Sequence, residues 1–299
     1  MSQFGHLLGP LSAIASAFTW ALAIQYYAKA ADRYSPFAVN FFRALFALVF
    51  YFVGIFFVTD AWDGLNAHNI TWLGLAMVGS YGFGDSVFFW ATRSLGVTLP
   101  LAVASIYPIW AALGGWIFQG QILTTPQQLG LLVTVVSTVL VILAGRSEVG
   151  EGQRKKFALG ILLSIMVSVF WSLNSYGVSV GGQGVHLFTA NLVRMIAAVV
   201  LTSALHGIIR VQKPFLMPMR DLKPLVWVFV MESIGGSLLY LYGLTHSPIA
   251  VGSALSSLSP VMAVPLAWAF RRERVSPLKA MGIVGVVIGV VLLVAGKDL

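Results

Sequence analysis

Residues 40–50 read NFFRALFALVF, and residues 191–201 read NLVRMIAAVVL. Asn40 matches Asn191, Arg43 matches Arg194 and Ala47 matches Ala198, all at one offset of 151 residues. Each stretch sets one arginine in a run long and apolar enough to be read as a membrane span; from 36 to 58 Arg43 is the only charged residue. An arginine inside a span costs ~2.5–3.5 kcal/mol on insertion scales, so it demands a partner or a function.

Outward from these two stretches the matching continues. The same offset carries Trp20 onto Trp171, and an offset of 152 carries Ser105-Ile-Tyr-Pro108 onto Ser257-Leu-Ser-Pro260 and Trp116 onto Trp268. Of 299 residues, 58% are hydrophobic and 9% charged, against roughly a quarter charged in a soluble domain. These features predict an all-α, polytopic membrane protein of ten transmembrane helices, at about 7–28, 36–58, 72–92, 98–118, 127–145, 158–179, 187–206, 224–244, 248–270 and 277–295. The expected organisation is a first five-helix repeat over 1–146, a cytoplasmic linker over 147–157 and a second five-helix repeat over 158–299, in one membrane domain. Five is odd, so the second copy enters from the opposite side. The two copies are then inverted repeats, an arrangement of secondary transporters with a site near the midplane.

The charge pattern sets orientation. Of 18 Lys and Arg, Arg43 and Arg194 lie within spans, Lys297 follows the last span, and the remaining fifteen fall in the loops after spans 1, 3, 5, 7 and 9, Arg274 among them. Basic residues in short loops mark the cytoplasm, which puts both termini outside. The net charge of +8 is therefore read as topology rather than as nucleic-acid binding. The opening MSQFGHLLGP has no basic leader, so the first span is expected to belong to the mature protein. With no cysteine, disulfides, thiolate metal sites and cysteine nucleophiles are excluded.

Two acids also lie within spans, Asp85 and Glu232. Counted from the basic edge, both sit about 12–14 Å deep, a depth Arg43 shares, so a charge network of Arg43 with Asp85 or Glu232 is expected. Arg194 has no intramembrane acid at its depth in the sequence. Water in an open cavity, helix-end carbonyls and a substrate carboxylate all remain open as its partner.

Aromatic and small polar residues at helical spacing complete the candidate substrate site: Trp20, Tyr81 and Trp110 in the first half, and Trp171, Asn174, Arg194 and Tyr240 in the second. Ser253, Ser256 and Ser257 add a polar stripe, readable equally as small-residue helix packing. Pro108, Pro260 and Pro265 fall inside spans and are candidate hinges.

The doubled N-x-x-R-x-x-x-A, the S-x-x-P of each fourth span, and SPVMAVPLAWAFRRERVSP before a glycine-rich last span resemble the EamA type of the drug/metabolite transporter superfamily over essentially the whole chain. Within it the sequence is most similar to YddG-like aromatic amino-acid exporters. The family pattern often has an acidic residue in both turns after the fourth spans; here Glu273 stands in the second and Gln121 in the first.

The resemblance implies a secondary transporter that exports amino acids, aromatic and other neutral ones, across a bacterial-type inner membrane by alternating access. The alternatives are a carrier of another small solute (purine, sugar or drug), a channel, or an intramembrane enzyme. No Gly-x-x-x-x-Gly-Lys phosphate cradle is present. The five histidines, His6, His68, His186, His206 and His246, lie near span ends without i, i+4 pairing, so no enzyme activity, metal or cofactor is expected. The expected partners are an amino-acid substrate and membrane lipids, with no nucleic acid. A monomer suffices for ten helices.

Overall fold

The computed structural model describes residues 7–110, 113, 124–147, 150–247, 249–272 and 275–295. Trp116, Gln121, Glu273, Arg274, Lys297 and His6 lie outside them. Among the described residues, twelve helices of seven residues or more carry the architecture: α1 (Leu8–Arg33), α2 (Pro36–Gly54), α3 (Ala67–Met77), α4 (Gly84–Leu95), α5 (Thr98–Ala104), α6 (Thr125–Ser147), α7 (Arg154–Gly181), α8 (Leu187–Ile209), α9 (Ser237–Thr245), α10 (Ile249–Ser256), α11 (Ser259–Arg271) and α12 (Pro277–Ala295). Short turns over Met219–Val228 lead into the segment preceding α9.

Seven stretches among the described residues are long and apolar enough to cross a membrane: Leu8–Arg33, Pro36–Phe57, Thr125–Ser147, Glu151–Gly181, Leu187–Ile209, Met219–Thr245 and Val251–Phe270. Three of the ten expected spans are not among them. The third is divided between α3 and α4, the fourth is an apolar helix described as Thr98–Trp110, and the last is the shorter apolar helix Pro277–Leu292.

Side chains are distributed inside out relative to a soluble protein. On α6, Leu129, Leu132, Val136 and Leu143 are exposed while Thr134, Ser137 and Thr138 are buried. On α2, Phe52 and Val53 face outward while Asn40 and Arg43 are buried. Lipid tails solvate Leu and Val as well as a protein core does, so close packing and internal hydrogen bonds hold such helices together. The buried hydroxyls comply: Thr134 and Thr138 donate to the carbonyls of Gly130 and Thr134, each at 2.8 Å.

The helices interleave across the chain. α2 packs on α8, α6 on α12, α7 on α3, α4 and α5, and α1 on α9, α10 and α11. Two departures from regular helix bear on the site. The ladder widens to π geometry over Val78–Gly82 and over Phe229–Gly236, segments that begin 151 residues apart and contain Tyr81 and Glu232. Widened turns reposition the residues after them and recur at functional sites. The second departure is a break at residues 105–106 and again at 257–258, each just ahead of Pro108 or Pro260. Proline lacks the amide proton that would continue the ladder. Pro265 lies inside α11.

The α6–α12 pair depends on glycine. A Cβ on Gly289 would fall onto Thr134 Oγ1 and its backbone nitrogen, and one on Gly282 onto Val141. Gly289→Val should therefore lower the melting temperature in detergent through overpacking worth about 1–3 kcal/mol. Gly207→Ala, whose added methyl meets nothing within 4 Å, should leave it unchanged or slightly raised.

Candidate functional site

The buried arginine of α2 organises the interior. Arg43 Nη1 donates to Asp85 Oδ2 on α4 at 3.0 Å, and Nη2 donates to Glu232 Oε1 in the second π segment at 3.2 Å. Both acids sit in the interior beside it. The remaining carboxylate oxygens are also occupied. Trp171 Nε1 donates to Asp85 Oδ1 at 2.9 Å, while Tyr27 OH (2.8 Å) and Ser233 Oγ (3.0 Å) donate to Glu232 Oε2. The guanidinium carbon lies 4.0 Å from the Tyr81 ring centre, 4.9 Å from Tyr27 and 5.2 Å from Trp20, within cation–π range. Hydrocarbon burial is tolerated because every charge here meets opposite charge, a donor or a ring face.

The first-half asparagine aligns this arginine. Asn40 Oδ1 accepts from Arg43 Nη1 at 3.3 Å, and Asn40 Nδ2 donates to Tyr81 O (2.8 Å) and Ser86 Oγ (3.1 Å). In the second half Asn191 Oδ1 accepts from Arg194 Nη1 at 2.7 Å and from Ser237 Oγ at 2.9 Å. Arg194 Nη1 also donates to Ser237 Oγ at 3.0 Å. The offset of 151 that relates Arg43 to Arg194 places Ser86 on Ser237 and Asp85 on Gly236. The second constellation thus repeats the first without its acid. Among the described residues Arg194 makes no ion pair; its Nε, like that of Arg43, is buried without a hydrogen-bond partner.

Both arginines border one cavity of about 100 Å³. Trp20, Tyr81, Tyr107, Trp171 and Tyr240 supply its rings. Trp20 and Trp171 meet edge to face with centres 5.8 Å apart, and Trp171 stacks on Phe88 at 5.4 Å. Asp85, Asn174, Arg194, Glu232 and Ser256 supply polar groups. Asn174 Nδ2 donates to Tyr240 OH at 3.0 Å, whereas Asn174 Oδ1 and Ser256 Oγ are buried without partners. Unsatisfied buried polar atoms cost about 1–3 kcal/mol each, so four around one cavity, counting Nε of Arg43 and of Arg194, point to a polar occupant, water or solute.

Three candidates stand apart from the cavity wall. Trp110 Nε1 donates to Ser168 Oγ at 2.7 Å, fixing the indole against α7. Ser253 carries its carbonyl to Tyr107 OH at 2.7 Å, and Ser257 Oγ turns back to Ala254 O at 2.7 Å. The serine stripe assumed an unbroken helix. Because α10 ends at Ser256, Ser257 falls in the turn, and Ser259 reaches the wall instead. Sequence reasoning also passed over Tyr107, Ser80, Thr19 and Ser237, all of which border the cavity. Of these Ser237 had a signal in its match to Ser86 at the repeat offset, and Tyr107 in its place inside the repeated S-x-x-P stretch. Among the described residues no cluster of three or more His, Asp or Glu side chains forms a metal site.

Comparison with known proteins places this geometry in a family. A model of the EamA-like transporter family matches the chain twice, over residues 7–143 and 158–295. The chain belongs to that family: it is a multi-pass membrane transporter. An uncharacterized transporter of Archaeoglobus fulgidus is 24% identical over 292 residues, 96% of this chain and 98% of the relative. A protein crystal structure at 16% identity superposes over 100% of both chains with a TM-score of 0.69, a likeness of fold.

The hydrogen bond to Asp85 makes Trp171 more than a ring. Trp171→Phe keeps an aromatic side chain but removes a donor to a charged acceptor, a loss of about 1.5–3 kcal/mol. The expected outcome is a lower melting temperature than that of Trp110→Phe, whose lost partner is a neutral hydroxyl. Equal melting temperatures for the two variants would show that the Asp85 bond contributes nothing special.

Proposed function

We propose that this transporter exports neutral amino acids, aromatic ones above all, from the cytoplasm by alternating access. The observation that carries the reading is the cavity itself: flat rings, Trp20, Trp171 and Tyr107, beside buried polar atoms that lack partners. Rings gain roughly 0.5–1.5 kcal/mol beyond burial by stacking, and unpaired donors and acceptors suit the polar end of an amphipathic solute.

At about 100 Å³ the cavity is well below the ~300–1,000 Å³ of ordinary ligand sites. A ring-bearing amino acid therefore enters only after the helices separate, which fits a contracted state within a transport cycle. The helix breaks ahead of Pro108 and Pro260 are the proposed hinges, with Pro265 a third.

The proposed framework is ten spans in two inverted five-helix repeats, 1–146 and 158–299, joined by a cytoplasmic linker over 147–157. Three observations support it. The family model matches once per half. The π segments and the helix breaks recur at the sequence offsets. The packing is also preserved when the halves are exchanged, since α1 on Phe229–Thr245 corresponds to α7 on α3 and α4. The membrane is proposed to be a bacterial-type inner membrane, with both termini on its outer side and transport driven by a solute or ion gradient.

Two measurements check this reading. In intact cells an impermeant thiol reagent should label Asp63→Cys and miss Gly152→Cys; the reverse pattern would overturn the orientation. Counterflow in proteoliposomes should show saturable exchange of phenylalanine and tryptophan exceeding that of sugars or purines. Trp171→Leu should reduce aromatic flux several-fold with a smaller effect on aliphatic amino acids. Exchange of purines or sugars alone would replace the amino-acid reading.

A further inference from the structure

The polar wall of the cavity is electrically lopsided. Arg43 is shared by two carboxylates, so the group Arg43–Asp85–Glu232 carries one formal negative charge in excess. Arg194, which borders the same cavity, meets Asn191 Oδ1, Ser237 Oγ and, 6.0 Å from its guanidinium carbon, the Tyr240 ring, and carries one positive charge in excess. The four charges cancel in total, but the negative and the positive excess belong to two distinct groups bordering the cavity. A low-dielectric interior makes such a separated pair attract a complementary dipole strongly.

The sequence repeat shows where this lopsidedness arises. Asp85 answers Arg43 in the first half; its counterpart at the same offset in the second half is Gly236, which borders the cavity. Asn40 and Ser86 have their counterparts, Asn191 and Ser237, and both of these hold Arg194 in place. The second half thus keeps the parts that orient an arginine and lacks the carboxylate that would neutralise it. Arg194 Nε is an unpaired buried donor and Asn174 Oδ1 an unpaired buried acceptor. A single occupant carrying opposite charges would satisfy both.

We infer that the cavity selects α-amino acid zwitterions by their head group, with Arg194 taking the substrate carboxylate where Gly236 leaves out an acid, and Glu232 with Asn174 Oδ1 taking its ammonium. The inference rests on the amino-acid reading above and deepens it, since that reading requires only a solute with a ring and a polar end. Glu232 is the member of the acidic pair suited to this role. Its side chain is 11% exposed against 4% for Asp85, and it lies in the widened helical segment bordering the cavity. Asp85 is enclosed between Arg43 and Trp171 and holds the pair in position. Transport requires no bond to form or break, only exchange of hydration for these contacts.

The test compares three phenyl compounds with the same ring: L-phenylalanine, phenethylamine, which lacks the carboxylate, and 3-phenylpropanoate, which lacks the ammonium. Each is titrated against the purified full-length protein by ligand-induced thermal stabilisation, and phenylalanine counterflow is measured in parallel. The wild type should prefer phenylalanine over both analogues by at least about tenfold, because each analogue leaves one buried charge unanswered. Arg194→Gln should erase the preference over phenethylamine and keep that over 3-phenylpropanoate; Glu232→Gln should do the opposite.

Failure of a variant to fold leaves the wild-type comparison decisive. Wild-type protein that exchanges phenylalanine yet binds either analogue as tightly overturns the head-group inference while the exporter reading stands. Protein that neither binds nor exchanges amino acids, but exchanges another solute, overturns both. Parallel weakening of all three compounds in Arg194→Gln, with a lowered melting temperature of the free protein, assigns Arg194 to packing and likewise rejects the inference.

Discussion

A guanidinium in hydrocarbon has to be answered, and the way Arg43 is answered fixes the interior of this transporter. Its partners come from far apart in the chain: Asp85 on α4, Glu232 in the segment before α9, and the Tyr27 ring on α1. Trp171 on α7 is drawn in through Asp85. Removing one partner of a buried pair typically costs about 3–5 kcal/mol because the other is stranded. The same cost holds segments of both halves in register around one point. Apolar packing alone does not confer this, since lipid competes equally for apolar surface.

Local backbone departures serve that centre. Regular α-helix places side chains at fixed angles, and the widened turns at Val78–Gly82 and Phe229–Gly236 alter the phase just where Tyr81 and Glu232 must face Arg43. Tyr51 OH donates to Ile234 O at 2.8 Å, so an aromatic side chain of α2 meets part of the widened ladder. The breaks at residues 105–106 and 257–258 bring Tyr107 and Ser259 to the cavity. Charge pairing and interrupted helices thus meet at one cavity.

Much of this was legible in the sequence, for reasons that differ by element. Long apolar runs such as α6 and α8 read correctly as spans because lipid exposure imposes composition directly. Arg43, Asp85 and Glu232 stood out because charge inside a span is costly, and counting residues from the basic loops put them at one depth. The third span was less legible: hydropathy over 72–92 does not register a change of helical pitch, so its division into α3 and α4 went unseen. The serine stripe failed in part for the same reason, since its spacing presupposed a continuous ladder through Ser257. Trp110 is aromatic and deep, yet its indole is turned to Ser168, an orientation set by tertiary contact rather than by spacing. The most informative feature was an absence within a repeat, Gly236 opposite Asp85, which shows only when the halves are compared position by position.

The central claim is that Arg43 is held by both acids at once, and a pair of double-mutant cycles tests it most directly. Unfolding free energies are measured for Arg43→Gln, Asp85→Asn, Glu232→Gln and the two doubles that contain Arg43→Gln. The account predicts coupling of about 0.5–3 kcal/mol in both cycles, each double less destabilised than the sum of its singles. Additivity within about 0.3–0.5 kcal/mol in both cycles would contradict it, leaving the buried arginine without the anchor from which the rest of the interior is argued.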